Sequence, residues 1–253
     1  MKIIAIANFK GGVGKTQTAV NLSAILAREG WPVLLIDADA QHNASSFYCP
    51  DWDGATLSDL LRGEETYAEN LIAQTAYENL SMVCADMELL TLDLSAILHG
   101  RDYESPQGEK RLSDFLAAVR EDYDYVIIDC PPSFTAASVA ALECADEVIL
   151  PVLSDAFSRS GAMEMIKQVR SLGEMDIEPR FRVLATMADK TRLSRQAIDQ
   201  LKSDGLDVFN AFTRRSVCVG ESSYARVPLY EYAPMSNAAK DYEALAQEVL
   251  ADG

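Results

Sequence analysis

The feature that most constrains this chain is a short apolar run that ends in glycines. Residues 2–7 (KIIAIA) lead through Asn8 and Phe9 into Lys10-Gly11-Gly12-Val13-Gly14-Lys15-Thr16. A run this short, apolar at successive positions and closed by a Gly-rich turn, reads as a strand buried on both faces. Residues 16–29 (TQTAVNLSAILARE) then place Ala19, Leu22, Ile25 and Leu26 at helical spacing, and Gly30 stops the helix. Strand, glycine loop and helix in that order make a phosphate cradle. The glycines let successive backbone N–H groups turn toward one anion, and the helix adds its positive N-terminal end. The spacing fits G-x-x-x-x-G-K-[ST], except that Phe9 stands where the plain motif has Gly. Lys15 is placed to reach β- and γ-phosphates, and the Thr16 hydroxyl to ligate Mg2+. Lys10 is a second cation in the loop, a mobile point charge suited to the negative charge that develops in phosphoryl transfer.

The rest of the chain alternates in the same way. Strands are expected at 2–7, 33–36 (VLLI), 80–84, 125–128 (YVII), 147–150 (EVIL), 181–185 (FRVLA), near 207–209 and near 215–219. Helices are expected at 16–29, 57–61, 67–74, 86–98, 110–121, 135–144, 159–171, 193–203 and 237–251, with a polar, turn-rich break at 100–109. This alternation predicts an α/β fold, a single domain over 1–253 whose mainly parallel twisted sheet carries helices on both faces. In such sheets ligands sit beyond the carboxyl ends of the strands. Two of those ends are acidic. One closes with Asp37-Ala38-Asp39, where the acids could hold Mg2+ through water or orient an attacking water. The other closes with Asp129, the Walker B pattern, which completes a hard oxygen site beside Thr16.

Composition excludes several classes. The 253 residues carry 22 Lys and Arg against 39 Asp and Glu, a net charge of −17, with 49% apolar residues. That balance is globular rather than disordered, and its mean field repels nucleic acid. The charge is uneven, however: residues 51–124 hold 17 acids and five bases, whereas 180–226 hold nine bases and five acids. No apolar run approaches the roughly 18 residues that span a bilayer, and the opening stretch is too short for a signal-peptide core. Five scattered cysteines (Cys49, Cys84, Cys130, Cys144, Cys218) without a CxxC pair, and two histidines, argue against a disulfide framework or a zinc site. They read as reduced thiols packed as small hydrophobes in a cytoplasmic protein.

KGGVGKT, VLLIDADAQHNAS and YDYVIIDCPPS together closely resemble the deviant Walker A ATPases of the ParA/MinD superfamily, and most of all the short ParA/Soj partition proteins. The resemblance continues through ALECADEVILPVLSDAFSRSGAMEMI and LATMADKTRLSRQAIDQL to VPLYEYAPMSNAAKDYEALAQEVL, nearly the whole chain. It implies a P-loop NTPase of the deviant Walker A type whose cofactors are ATP and Mg2+. The implied nucleotide-binding run is Lys10, Gly11, Gly12, Val13, Gly14, Lys15, Thr16 and Gln17. Lys10 matches the signature lysine that reaches the partner subunit's nucleotide in an ATP-sandwich homodimer. Lys15 matches the P-loop lysine, and Asp39 the acid that positions the hydrolytic water. Thr16, Asp37 and Asp129 match the magnesium side. Arg192, Arg195, Arg214 and Arg215 fall where ParA-like proteins touch DNA non-specifically.

The chain departs from the family pattern in places. Ala40 replaces the usual Pro, His42 the usual Gly, and Gln17 a common Thr; Phe212-Thr213-Arg214 replaces Ile-Pro-Arg, where adenine contacts are expected. No helix-turn-helix precedes the loop. The implied function is an ATP-dependent partition or positioning ATPase. Its ATP dimer would bind DNA on the nucleoid, and a ParB-like partner would stimulate slow hydrolysis. A MinD-like membrane role would need a basic amphipathic C-terminal helix, and DYEALAQEVLADG is acidic, so no membrane partner is expected. An ATP-dependent biosynthetic enzyme on the same scaffold is the other alternative.

Overall fold

The computed structural model describes residues 1–92, 94, 105–154, 158–171, 178–189 and 191–252, with backbone alone at 105–109, 158–160 and 193. Eight strands form one sheet: β1 (Lys2–Ile6), β2 (Val33–Asp37), β3 (Ile72–Gln74), β4 (Leu80–Val83), β5 (Tyr125–Asp129), β6 (Glu147–Leu153), β7 (Arg180–Ala188) and β8 (Val208–Arg214). Their order is β3-β4-β2-β5-β1-β6-β7-β8. Every pairing is parallel except β3 with β4.

The central strands are apolar along their middles, with charged residues only at their ends, because both faces are covered. Along β1, Ile4 and Ile6 enter one core and Ala5 the other. Along β5, Ile127 and Val126 divide in the same way. One face packs α1 (Lys15–Arg28) and α11 (Asn237–Ala251) through Leu22, Ile25, Leu245 and Val249. The other packs α3 (Leu57–Arg62), α5 (Ser105–Ala118), α6 (Ala136–Cys144) and α7 (Ser158–Ser171) through Leu60, Phe115, Ala140 and Met165. The expected α/β sheet with helices on both faces is the observed one.

Several expected boundaries move. The segment 67–74 divides into α4 (Ala68–Leu71) and β3, because Ile72 and Gln74 find antiparallel partners in Val83 and Ser81. Within the expected helix 86–98, residues 89–92 and 94 are helical, and 95–98 lie outside the described residues. The break expected at 100–109 ends sooner than its composition suggests, since α5 begins at Ser105 with Pro106 in its first turn, where no backbone N–H is needed; residues 100–104 lie outside the described residues.

Strand β6 runs through Pro151. Ile149 and Pro151 both turn their carbonyls toward β1, to Ala7 N–H and to the Asn8 amide, so the N–H that proline lacks falls where β1 has already left the ladder. The strand expected near 215–219 is instead a helix, α9 (Val217–Ala225). Its β-branched start suggests a strand, but β8 is an edge strand whose pairing with β7 ends at Arg214. Three helices complete the described elements: α2 (Asn43–Tyr48), α8 (Arg192–Ser203) and α10 (Leu229–Tyr232). The six-residue α2 carries no apolar period that a sequence could reveal.

Candidate nucleotide site

The site begins where β1 hands the chain to the glycine loop. Asn8 pins this point: its Nδ2 donates to the Pro151 carbonyl at 2.7 Å, and its Oδ1 accepts the Lys10 N–H at 2.9 Å. Gly12 and Gly14 take φ values of 71° and 92°, the left-handed region that glycine enters without strain. A Cβ added at Gly11, Gly12 or Gly14 would meet nothing within 4 Å, so the loop's inner side leaves room for phosphate oxygens. Buried Val13 anchors the far side, its carbonyl 2.8 Å from the Thr186 hydroxyl. Lys10 is exposed at the rim. Lys15 opens α1 largely buried, with Nζ 3.4 Å from the Lys10 carbonyl oxygen. Burial lowers its pKa, against the pull of Asp129 and Asp39.

Register places the two strand-end acids side by side: Asp129 on β5 faces Asp37 on β2 and Ile6 on β1. Their surroundings differ sharply. Asp37 Oδ2 accepts both the Ser45 N–H and the Ser45 hydroxyl at 2.8 Å, and Oδ1 accepts the Asp39 N–H at 3.1 Å. Expected as a metal ligand, Asp37 therefore has both oxygens engaged, and it fastens the start of α2 to β2. Burial pushes its carboxyl up to about 6 despite those bonds.

Asp129 is 1% exposed, and neither carboxylate oxygen has a hydrogen-bond partner. The Thr16 hydroxyl lies beside it without closing a well-angled hydrogen bond, and burial, then Asp37, raise its carboxyl well above the usual range. A buried carboxylate without partners costs several kcal/mol unless it takes a proton or a cation. Asp129 and Thr16 together offer the hard oxygens that Mg2+ prefers, and so fit the ion.

Asp39 follows half-buried, its Oδ1 accepting the Gln41 N–H at 2.9 Å. His42 takes φ 43°, so it occupies the left-handed conformation for which the family pattern keeps a glycine. Its Nδ1 lies 3.0 Å from the Ser46 hydroxyl, a local tie that favours this turn.

Two cavities flank the first turn of α1. One, of about 340 Å³, is lined by Thr16, Asn43, Ser46, Phe47, Ser223 and Arg226; the other, of about 200 Å³, by Gly14, Thr186, Met187, Arg214, Val219 and Tyr242. Gln17 borders both and donates to the Ser223 hydroxyl at 2.9 Å. Sequence reasoning did not single out Thr186, Met187, Val219 or Tyr242. They belong to three separate segments, and only the φ of 50° at Met187 marks any of them as unusual.

The four arginines expected at DNA separate. Arg192 and Arg195 are exposed on the first turn of α8, and Arg215 is exposed with Nη2 3.8 Å from Met187 Sδ. Arg214 instead grips buried Asp241, with Nε 2.9 and 3.1 Å from the two oxygens. Arg214, held by this pairing, lines the smaller cavity.

A glycine cradle at a strand–helix junction, a buried orphan acid on the neighbouring strand and a cavity beside the loop define a P-loop nucleotide-binding protein. The AAA domain family model matches residues 1–183. The sporulation initiation inhibitor protein Soj of Bacillus subtilis is 36% identical, the match covering 100% of this chain and 99% of Soj. The chromosome-partitioning ATPase Soj of Treponema pallidum is 32% identical over 99% of this chain and 97% of its own. Among solved structures, a putative plasmid partition protein from Borrelia burgdorferi bound to AMPPNP superposes with a TM-score of 0.83 at 22% identity, covering 100% of this chain and 99% of the other. The chain belongs to the ParA/MinD superfamily of ATPases, close to the ParA/Soj partition proteins. Among the described residues, no helix is long and apolar enough to cross a membrane.

Proposed function

We propose that this chain is a single-domain, Mg2+-dependent partition ATPase whose ATP-bound dimer carries cargo over DNA. The observation that carries the reading is the pair of unpartnered Asp129 oxygens beside Thr16 at the end of the glycine loop. The backbone N–H groups of residues 11–16 and the Lys15 ammonium grip the phosphates, and the Gln17 side chain borders the nucleoside. Thr16 and Asp129 hold the magnesium ion, which when bound offsets phosphate charge. Asp37 sets the turn that presents Asp39, and Asp39 orients the attacking water. Lys10, exposed on the rim, reaches the nucleotide of a second copy, so hydrolysis requires the closed dimer and is slow by itself.

Arg192, Arg195 and Arg215 supply the phosphate contacts to DNA. Arg214 shapes the nucleoside cavity through Asp241. An overall charge of −17 keeps one subunit's affinity weak, so a dimer that pairs two basic patches gives ATP control over DNA binding. A ParB-like protein stimulates hydrolysis and release, and the protein resides in the cytoplasm, on the nucleoid when ATP is bound. Retention on non-specific DNA with ATP and with ADP tests this: ATP-dependent retention that falls steeply with salt is expected, and equal or absent retention in both would overturn the DNA-carrier reading. Arg195 is exposed and lines neither cavity, so Arg195→Glu should weaken retention and leave ATP affinity intact.

A further inference from the structure

Beside the nucleotide site lies a third cavity, of about 340 Å³, lined among others by His42, Cys49, Trp52, Cys84, Asp86 and Met87. Two of the five cysteines meet there. Cys49 caps the end of α2 and donates its N–H to the Ser45 carbonyl at 2.8 Å, so the two residues stand one turn apart at one face of the helix end. Ser45 Oγ accepts the Ala85 N–H at 2.9 Å, so that face rests on the chain just past β4. Cys84 occupies this place, buried, and lines the same small cavity as Cys49, and the two thiols shift each other's pKa. Cys49 is half-buried and borders the cavity, where a small solute has access. Among the described residues, no third His, Cys, Asp or Glu joins them in a metal-holding group. Paired thiols without further ligands are suited to two-electron oxidation rather than to a metal ion.

We propose that Cys49 and Cys84 form a modification site for small hydroperoxides, which convert the pair reversibly to a disulfide. Cys49 is the attacking sulfur: it borders the cavity, and its interaction with the Cys84 thiol lowers its pKa, whereas that of Cys84 is raised. The Cys49 sulfur takes one peroxide oxygen, the O–O bond breaks, and one water leaves as Cys49 becomes a sulfenic acid. The Cys84 sulfur then bonds to the Cys49 sulfur, the S–O bond breaks, and the hydroxyl leaves with the Cys84 proton as a second water. Two thiols and one hydrogen peroxide give one disulfide and two waters.

The bond joins the C-terminal end of α2 to the end of β4. The other end of α2 is already tied to Asp37 through Ser45, and Asp39 lies between. Oxidation therefore clamps the segment 38–49 at both ends. This effect on turnover rests on the proposed role of Asp39, whereas the covalent chemistry does not.

The test treats the full chain with hydrogen peroxide and maps thiols by mass spectrometry without reduction. A Cys49–Cys84 link, two hydrogens lighter and removed by dithiothreitol, is expected, with Cys130, Cys144 and Cys218 still as unoxidised thiols. In Cys84→Ser the reaction should stop at a Cys49 sulfenic acid that dimedone traps. Overoxidised Cys49 beside free Cys84 in the wild type, or no dimedone adduct in Cys84→Ser, would overturn the site. ATP turnover should fall at least fivefold on linkage, recover with dithiothreitol, and be unaffected by peroxide in Cys49→Ser. Linked protein with undiminished turnover would overturn the clamp. If the reduced chain hydrolyses no ATP, the ATPase reading fails instead, and the mass measurement still decides the site.

Discussion

Two buried acids at opposite ends of the sheet show how differently one fold treats charge. Glu147, at the start of β6, is 1% exposed and lies among cations: Lys2 Nζ at 2.9 Å and Arg182 Nη1 at 3.6 Å. These are contacts of charge with charge rather than well-angled hydrogen bonds, since neither Glu147 oxygen has a hydrogen-bond partner. Arg182 in turn contacts Glu248 on α11 and Asp252 just past its end, and stacks 3.6 Å over the Phe209 ring. Asp129, at the end of β5, is equally buried, yet among the described residues no ion pair reaches it, and Lys15 acts on it only as a nearby charge. Charge at the amino end is neutralised within the chain and holds the C-terminal helix to the sheet. Charge at the carboxyl end has no such partner, and under the proposed function a bound cation neutralises it.

The sharpest break in this contrast is Asp39→Ala. With Asp39 in its proposed role of orienting the attacking water, its loss should lower ATP hydrolysis by about 100-fold or more while nucleotide affinity changes little, as phosphate release and binding titration would read. Next comes Arg182→Ala, which leaves Glu147 buried with Lys2 alone. A loss of about 3–5 kcal/mol in chemical denaturation is expected. Asp129→Asn should act in the opposite direction, stabilising the ligand-free chain by about 1 kcal/mol, because it removes an unpaired buried carboxylate.

A pH titration sharpens that point. Asp37 and Asp129 both have folded-state carboxyls raised above the unfolded value of about 3.9. The folded chain thus holds more protons, so the contribution of Asp37 to stability is present near pH 4 and is lost as pH rises through about 6. Asn at both positions should flatten the denaturation midpoint across that window. The smallest effect belongs to the surface pair Arg28–Glu243, at 3.0 Å and more than a third exposed on each side; Glu243→Ala should cost under about 0.5 kcal/mol.

The sequence carried the site unevenly, for physical reasons. Lys15, Thr16 and Asp129 are legible because a glycine loop between strand and helix, and an acid closing an apolar run, are local patterns. The contrast between Asp37 and Asp129 is not legible, since both are aspartates closing apolar strands. Only the fold brings Ser45 to one of them and leaves the other bare. Arg214 and Arg215 are likewise neighbours in sequence, yet one is bound to Asp241 on α11 and the other faces solvent. The helix α9 was hidden because Val217-Cys218-Val219 favours a strand, and the sheet offers it no partner.

The proposed function gives unpartnered Asp129 the task of holding a cation with the nucleotide. Titrating ATP into the wild type and Asp129→Asn, each with and without Mg2+, tests it most directly. Mg2+ is expected to tighten ATP binding at least tenfold in the wild type and to leave the variant nearly unchanged. An equal Mg2+ effect in both proteins would contradict it.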